Sequence, residues 1–335
     1  MHVYDYLFAA VIIVTIVFAS STMIMTISEP IRTMSEREQL KIVSQKLMAQ
    51  ILLNPGDPGD WGKDISTEEG NLKTFGIAMH SETTREAYAL DPDKVLRLNG
   101  GLQELSGTRR LYVSPYRVIN LLNLGKDYGL ALEIHPALKV EVEPQGASSY
   151  TVTVKAPDSE LPIVGASVTA KIYYIDTGGI CSKDPTPPTP HMTDYDGKAT
   201  FDLDSTPTEM KVLVFVVDYN GIGVLKLFPG SSVIRGYLLG NHLFVNNTYG
   251  VSGNVTEVIV IKKVGGYAVE AITSSLKVEE ERFDLAYVEP STVAVLAISE
   301  DRANLVLASR EVEMTYSSIP GTVSFPFSYS VERTV

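Results

Sequence analysis

From Tyr6 to Ser28 the chain runs YLFAAVIIVTIVFASSTMIMTIS, twenty-three residues without a charge. As a helix, that run is long enough to cross a hydrocarbon core of about 30 Å. A secretory signal has a basic leading region, a shorter apolar stretch and a small-residue cleavage site. Here His2 and Asp5 precede the run and no Lys or Arg does, so cleavage after it is not expected. The segment reads as a membrane-spanning or equally buried helix. Its candidate contacts with lipid or with other helices are Leu7, Val11, Ile13, Val14, Ile16, Val17, Phe18, Met23 and Ile24.

Pro30 removes a backbone donor and should kink the helix, and Ser35 with Glu38 is a capping-box pattern that could restart it. Leu40, Val43, Leu47 and Ile51 then recur at spacings of three and four, widened by Met48 and Leu52, while Arg37, Lys41 and Gln45 lie off the stripe. That periodicity predicts an amphipathic helix whose apolar face needs a partner surface. The breakers Asn54-Pro55-Gly56 and Asp57-Pro58-Gly59 end it. Arg32, Arg37, Lys41 and Lys46 follow the apolar run, so the positive-inside rule would place the remainder in the cytoplasm. Two glycosylation sequons, at Asn246 and Asn254, argue for the outside instead. Either a short basic leader ahead of Met1 sets the orientation, or the rule fails here.

A long leading helix that is apolar first and amphipathic second, followed by a head, resembles the type IV pilin and archaeal pilin-like superfamily. The stretch ILLNPGDPGDWG at 51–62, with Phe75-Gly76-Ile77-Ala78 and Tyr88-Ala89-Leu90-Asp91, is similar to archaeal pilin-like surface proteins in particular. The resemblance covers roughly the first 140 residues. It implies that the apolar segments bundle into a filament core. It also implies that Asp5, with Met1 as the mature terminus, pairs with a neighbour's terminal amine. The plainer reading of Asp5 is a solvated charge at the membrane interface.

Composition narrows the function classes. Of 335 residues, 28 are basic and 40 acidic, a formal net charge of -12 with no long Lys/Arg run. Such a surface does not gather phosphates, so nucleic acid is not an expected partner. Cys181 is the single cysteine, which rules out an internal disulfide framework.

Between Gly62 and Pro144 short helices and strands mix. Ser114-Pro115 is an N-cap and first-turn pair with Gly125 closing the helix, and Asp91-Pro92 starts another turn. From 149 to 228 short alternating strands recur, including 150–154, 161–168, 172–175, 199–203 and the apolar run 212–217. Such spacing predicts a two-sheet sandwich. Pro162, Gly165-Ala166 and Val168, followed by Thr193-Asp194-Tyr195-Asp196-Gly197-Lys198-Ala199-Thr200-Phe201, resemble bacterial Ig-like and carboxypeptidase-regulatory-like modules. In that resemblance Asp-Gly makes the hairpin turn, which needs positive φ at Gly197.

Asp194, Asp196, Asp202 and Asp204 invite a calcium reading, but EF-hand spacing is not met, and the last two alternate with Phe201 and Leu203 as a solvated strand face would. His80, His135, His191 and His242 are scattered, and no zinc, P-loop, GxSxG or GxGxxG pattern occurs. Trp61 reads as a packing anchor for the head. No enzyme activity, cofactor or metal is expected.

The expected fold class is α+β. It comprises an N-terminal helix at 1–54, an α/β head segment at 55–148, an Ig-like β-sandwich at 149–228, and a β-rich region at 229–335 that forms a second sandwich or completes the head. The expected function is a structural subunit of an extracellular pilus-like filament, polymerising with copies of itself through the helix and held by the membrane before assembly. The other reading is a single-span adhesin or envelope-layer accessory protein that binds glycans or surface ligands and never polymerises. Both place the body at the cell surface.

Overall fold

The computed structural model describes residues 38–80, 89–103, 108–124, 129–146, 148–185, 190–202, 210–245, 255–264, 266–289, 292–300, 302–310 and 314–317. The leading apolar run and Asp5 lie outside these residues, as do Asn246, Asn254 and Asp204. No helix among the described residues is long and apolar enough to cross a membrane.

The α+β expectation with its long N-terminal helix is corrected to a mostly β fold. Among the described residues the longest helix is α1, at 38–53. Helices in the head are cut short by their own caps. In α2 (Pro92–Leu96) the Asp91 side chain accepts from the N–H groups of Asp93 and Lys94, and Pro92 supplies the first-turn φ. In α3 (Pro115–Leu121) Ser114 accepts from the Arg117 N–H. That helix stops before Gly125, because Asn123 already adopts a left-handed φ of 57°.

Strand β1 (Ala131–Ile134) follows the head helices. Next come β2 (Lys139–Pro144), β3 (Ser149–Lys155), β4 (Ser167–Asp176), β5 (Gly179–Lys183), β6 (His191–Met192), β7 (Lys198–Asp202), β8 (Lys211–Tyr219) and β9 (Ile222–Pro229). They form a three-stranded sheet, β2-β3-β7, and a five-stranded sheet, β5-β4-β8-β9 with β6 on β4. The turn before β7 has Gly197 at φ 70°. Asp194 Oδ1 accepts there from the N–H groups of Asp196 at 2.9 Å and Lys198 at 2.8 Å, so this carboxylate organises the turn.

The remaining strands are β10 (Val233–Leu239), β11 (His242–Val245), β12 (Val255–Val264), β13 (Tyr267–Thr273), β14 (Ser275–Lys277), β15 (Arg282–Leu285), β16 (Thr292–Ser299), β17 (Leu305–Ser309) and β18 (Met314–Ser317). Eight of them make one sheet in the order β13-β12-β16-β17-β10-β11-β15-β14, and β18 pairs antiparallel with β1. Strand β14 returns against β12, so this sheet curls around an interior of Val258, Val260, Phe283, Val295 and Val306.

In the region of the expected Ig-like sandwich, the five-stranded sheet is covered on both faces. Leu213, Phe215 and Val217 of β8 pack toward the three-stranded sheet with Tyr150, Val152 and Phe201. Val212, Val214 and Val216 face the curled sheet with Ile259, Leu296 and Leu305. An unbroken apolar run is the pattern of a strand without a solvated face, and that is the physical reason for the third layer. Polar pins fix the second interface: Glu257 Oε2 accepts from the Ile180 N–H at 3.1 Å, Thr169 Oγ1 donates to Gly266 O at 2.8 Å, and Lys171 pairs with Glu270.

The head packs on the β10–β11 hairpin through Leu96, Leu102 and Leu111 against Leu239 and Phe244. A buried ion pair reinforces that contact. Arg310 Nη2 lies 2.9 Å from Asp93 Oδ1 and donates to its Oδ2 at 3.1 Å.

Candidate functional site

The amphipathic stripe predicted on α1 is split between two environments. Ile51 is buried in the head with Trp61, Phe75 and Ile77, and Leu47 and Leu52 pack partly against them. Val43 is half-buried, while Leu40 and Ile42 are each 52% exposed and Met48 is 37% exposed. Beside the stripe runs an apolar groove of about 170 Å³, walled by Leu40, Val43 and Leu47 on the helix and by Leu124, Leu130 and Leu132 on the head. The helix is thus held at its C-terminal end by Ile51, Leu47 and Leu52, and its earlier turns flank the head across the groove.

That last turn sits in a socket that satisfies its orphan carbonyls. The Ile77 N–H donates to Ile51 O at 2.9 Å, and the Ala78 N–H donates to Asn54 O at 3.1 Å. Pro55 O accepts from Lys94 Nζ at 2.8 Å and from Trp61 Nε1 at 3.1 Å. The ammonium also donates to Ala78 O at 2.7 Å and lies 3.7 Å from the Asp91 carboxylate. A cation at a helix C-terminus complements the helix dipole. The approach is close enough that a Cβ on Gly76 would lie 1.9 Å from Asn54 O.

Arg97 holds the loops behind this socket. Its Nε donates to Leu111 O at 2.6 Å, its Nη2 to Thr67 O at 2.5 Å and its Nη1 to Trp61 O, with the guanidinium 5.3 Å from the Trp61 ring centroid. Burial lowers the Lys94 ammonium to about 8, opposed by Asp91 and Asp60. It lowers the Arg97 guanidinium to about 10, opposed by Asp64. Both cations are spent on carbonyl oxygens, so their role is to hold backbone in place. Trp61, fully buried between them, occupies the packing position its sequence context suggested.

The other singled-out residues are dispersed. His191 stacks on Phe201 with ring centroids 4.6 Å apart, and His242 Nδ1 lies 2.7 Å from Asp284 Oδ1. His135 Nε2 lies 3.4 Å from Glu133 Oε2. Cys181 is half-exposed on β5, opposite Tyr174. Among the described residues no three His, Cys, Asp or Glu side chains gather around a common point that could hold a metal ion.

Sequence reasoning missed Lys94, Arg97, Asp93 and Arg310. The available signal was two cations flanking an apolar pair in Pro92-Asp93-Lys94-Val95-Leu96-Arg97, where one short turn of helix cannot keep every charge in water. No protein-family model matches the chain, and no curated protein matches it.

Proposed function

We propose that the chain is a structural subunit of a cell-surface filament, assembling with copies of itself through its leading apolar segment and displaying the β body outward. The observation that carries this reading is the state of α1. Leu40, Ile42 and Met48 are exposed, and Leu40 and Met48 line an open apolar groove. Burying the exposed parts of these three side chains would contribute about 1 kcal/mol each per contact. The uncharged run at 6–28 supplies a far larger apolar surface on the same end of the chain. The resemblance of residues 51–62 to pilin-like surface proteins points the same way.

The test is imaging of the full chain together with its Ile13→Asp, Val17→Asp double variant. Wild type is expected to form filaments in electron micrographs. The variant should keep a folded body, read by the emission of Trp61, and form none. Filaments in the variant would refute the assignment. A wild-type protein that stays monomeric in detergent would favour an anchored surface protein that does not polymerise.

A further inference from the structure

The free edge of the curled sheet is β13, which pairs only with β12 among the described residues. Exposed edges present a row of unpaired N–H and C=O groups, and proteins blunt them with charge, proline or bulges. The edge strand β2 follows that rule. It carries Lys139, Glu141, Glu143 and Pro144, with Lys139 2.6 Å from Glu160 and Lys155 2.7 Å from Glu141. Strand β13 reads Tyr-Ala-Val-Glu-Ala-Ile-Thr, without proline or lysine. Its one charge, Glu270, is consumed by Lys171. Tyr267 is 57% exposed, Val269 44% and Ile272 78%, so both faces of this edge offer apolar side chains.

The sequence outside the described residues contains a segment of matching pattern. Residues 321–335 read GTVSFPFSYSVERTV, in which Val323, Phe325, Phe327, Tyr329 and Val331 alternate with Ser324, Pro326, Ser328, Ser330 and Glu332. Strict alternation over nine residues is the signature of a strand with one apolar face. Pro326 falls on the even positions, whose N–H groups would point away when the odd positions bond an acceptor strand. A proline there is tolerated at an edge and would stop further addition.

We propose that residues 321–335 of a second copy add to β13 as a further strand. Main-chain hydrogen bonds would supply the affinity and the alternating aromatic residues the register. The donor is assigned to a second copy because of reach. Strand β18 is held on β1, whose Leu132 belongs to the head core, and the head rests on β10 and β11. From β10 to β13 the path over the sheet crosses four strand spacings, about 19 Å, and packed layers add about 10 Å. The chain from 317 to 323 spans at most ~20 Å, which leaves no slack. The inference rests on the self-assembling reading, for which it names a second contact, distinct from the leading segment.

The experiment places the photo-cross-linker p-benzoylphenylalanine at Val269 or at Ile272, one on each face of the edge. Heavy-isotope-labelled and unlabelled full chains are mixed before assembly, and the joined peptides are identified by mass spectrometry. Peptides from 321–335 joined across heavy and light chains are expected at one of the two positions. Their yield should fall at least tenfold in a Phe325→Asp, Phe327→Asp variant whose Trp61 emission is unchanged. Cross-links confined to single copies, or to other regions within filaments that do form, overturn the strand donation and leave the assembly reading standing. A chain that never assembles overturns both.

Discussion

Lys94 makes the socket under α1 pH-sensitive with the same sign as ordinary acid denaturation, stability rising with pH, but in an alkaline window. An unfolded lysine keeps its proton to about 10.5, whereas burial brings this one down to about 8. Between those values the unfolded chain binds more protons than the folded one, so stability rises as pH rises. At ~1.36 kcal/mol per pH unit the full gap corresponds to about 3 kcal/mol, or about 2 kcal/mol after allowing for screening by nearby water. The assay is urea unfolding of the full chain in mild detergent at steps between pH 7.5 and 10 (roughly the window set by linkage), followed by tryptophan emission. Trp61 is the single tryptophan and is fully buried in the same socket, so the signal reports on the right place. Lys94→Met removes the titrating group and keeps the stem. Tyrosines titrate alike in both proteins, and the difference between the two curves isolates Lys94. Wild type should gain on the variant across the window; parallel profiles would refute the assignment of the buried charge.

The socket and the head contact give two further expectations. Gly76→Ala places a Cβ 1.9 Å from Asn54 O, so it should cost about 1–3 kcal/mol, red-shift the Trp61 emission and speed limited proteolysis at the Asn54–Pro55 joint. Arg310→Met leaves the Asp93 carboxylate buried without its partner and should cost about 3–5 kcal/mol in urea unfolding, with the Asp93→Leu, Arg310→Met double variant recovering most of that loss. A double variant as unstable as the single one would show that the pair does more than neutralise itself.

Local chemistry was the most legible part of the fold. Asp91-Pro92 and Ser114-Pro115 mark helix starts because capping depends on neighbours in sequence, and Asp194 to Gly197 marks a turn for the same reason. The run Val212–Val217 located a strand, yet its neighbours were not legible, since unbroken apolarity reports burial on two faces without saying what lies on them. The curled sheet was least legible. Its order brings β10 beside β17 in parallel, a pairing of positions some seventy residues apart that no local periodicity encodes. For the candidate site, the spacing of Leu40, Val43, Leu47 and Ile51 gave the stripe, and the structure divided it into a buried end at Ile51 and an increasingly exposed start at Leu40. The buried cations escaped notice because Lys and Arg are ordinarily read as solvated, and only the convergence of carbonyls from four separate loops makes their burial tolerable.

The middle sheet is a wall common to two cores. Peeling away the three-stranded layer would wet Phe215 on one side while its neighbours Val214 and Val216 still grip the other, so neither layer can be shed without weakening the strand that both depend on. A body built this way resists unzipping piece by piece. Under a pulling load it should yield in one concerted rupture and hold its shape until that point.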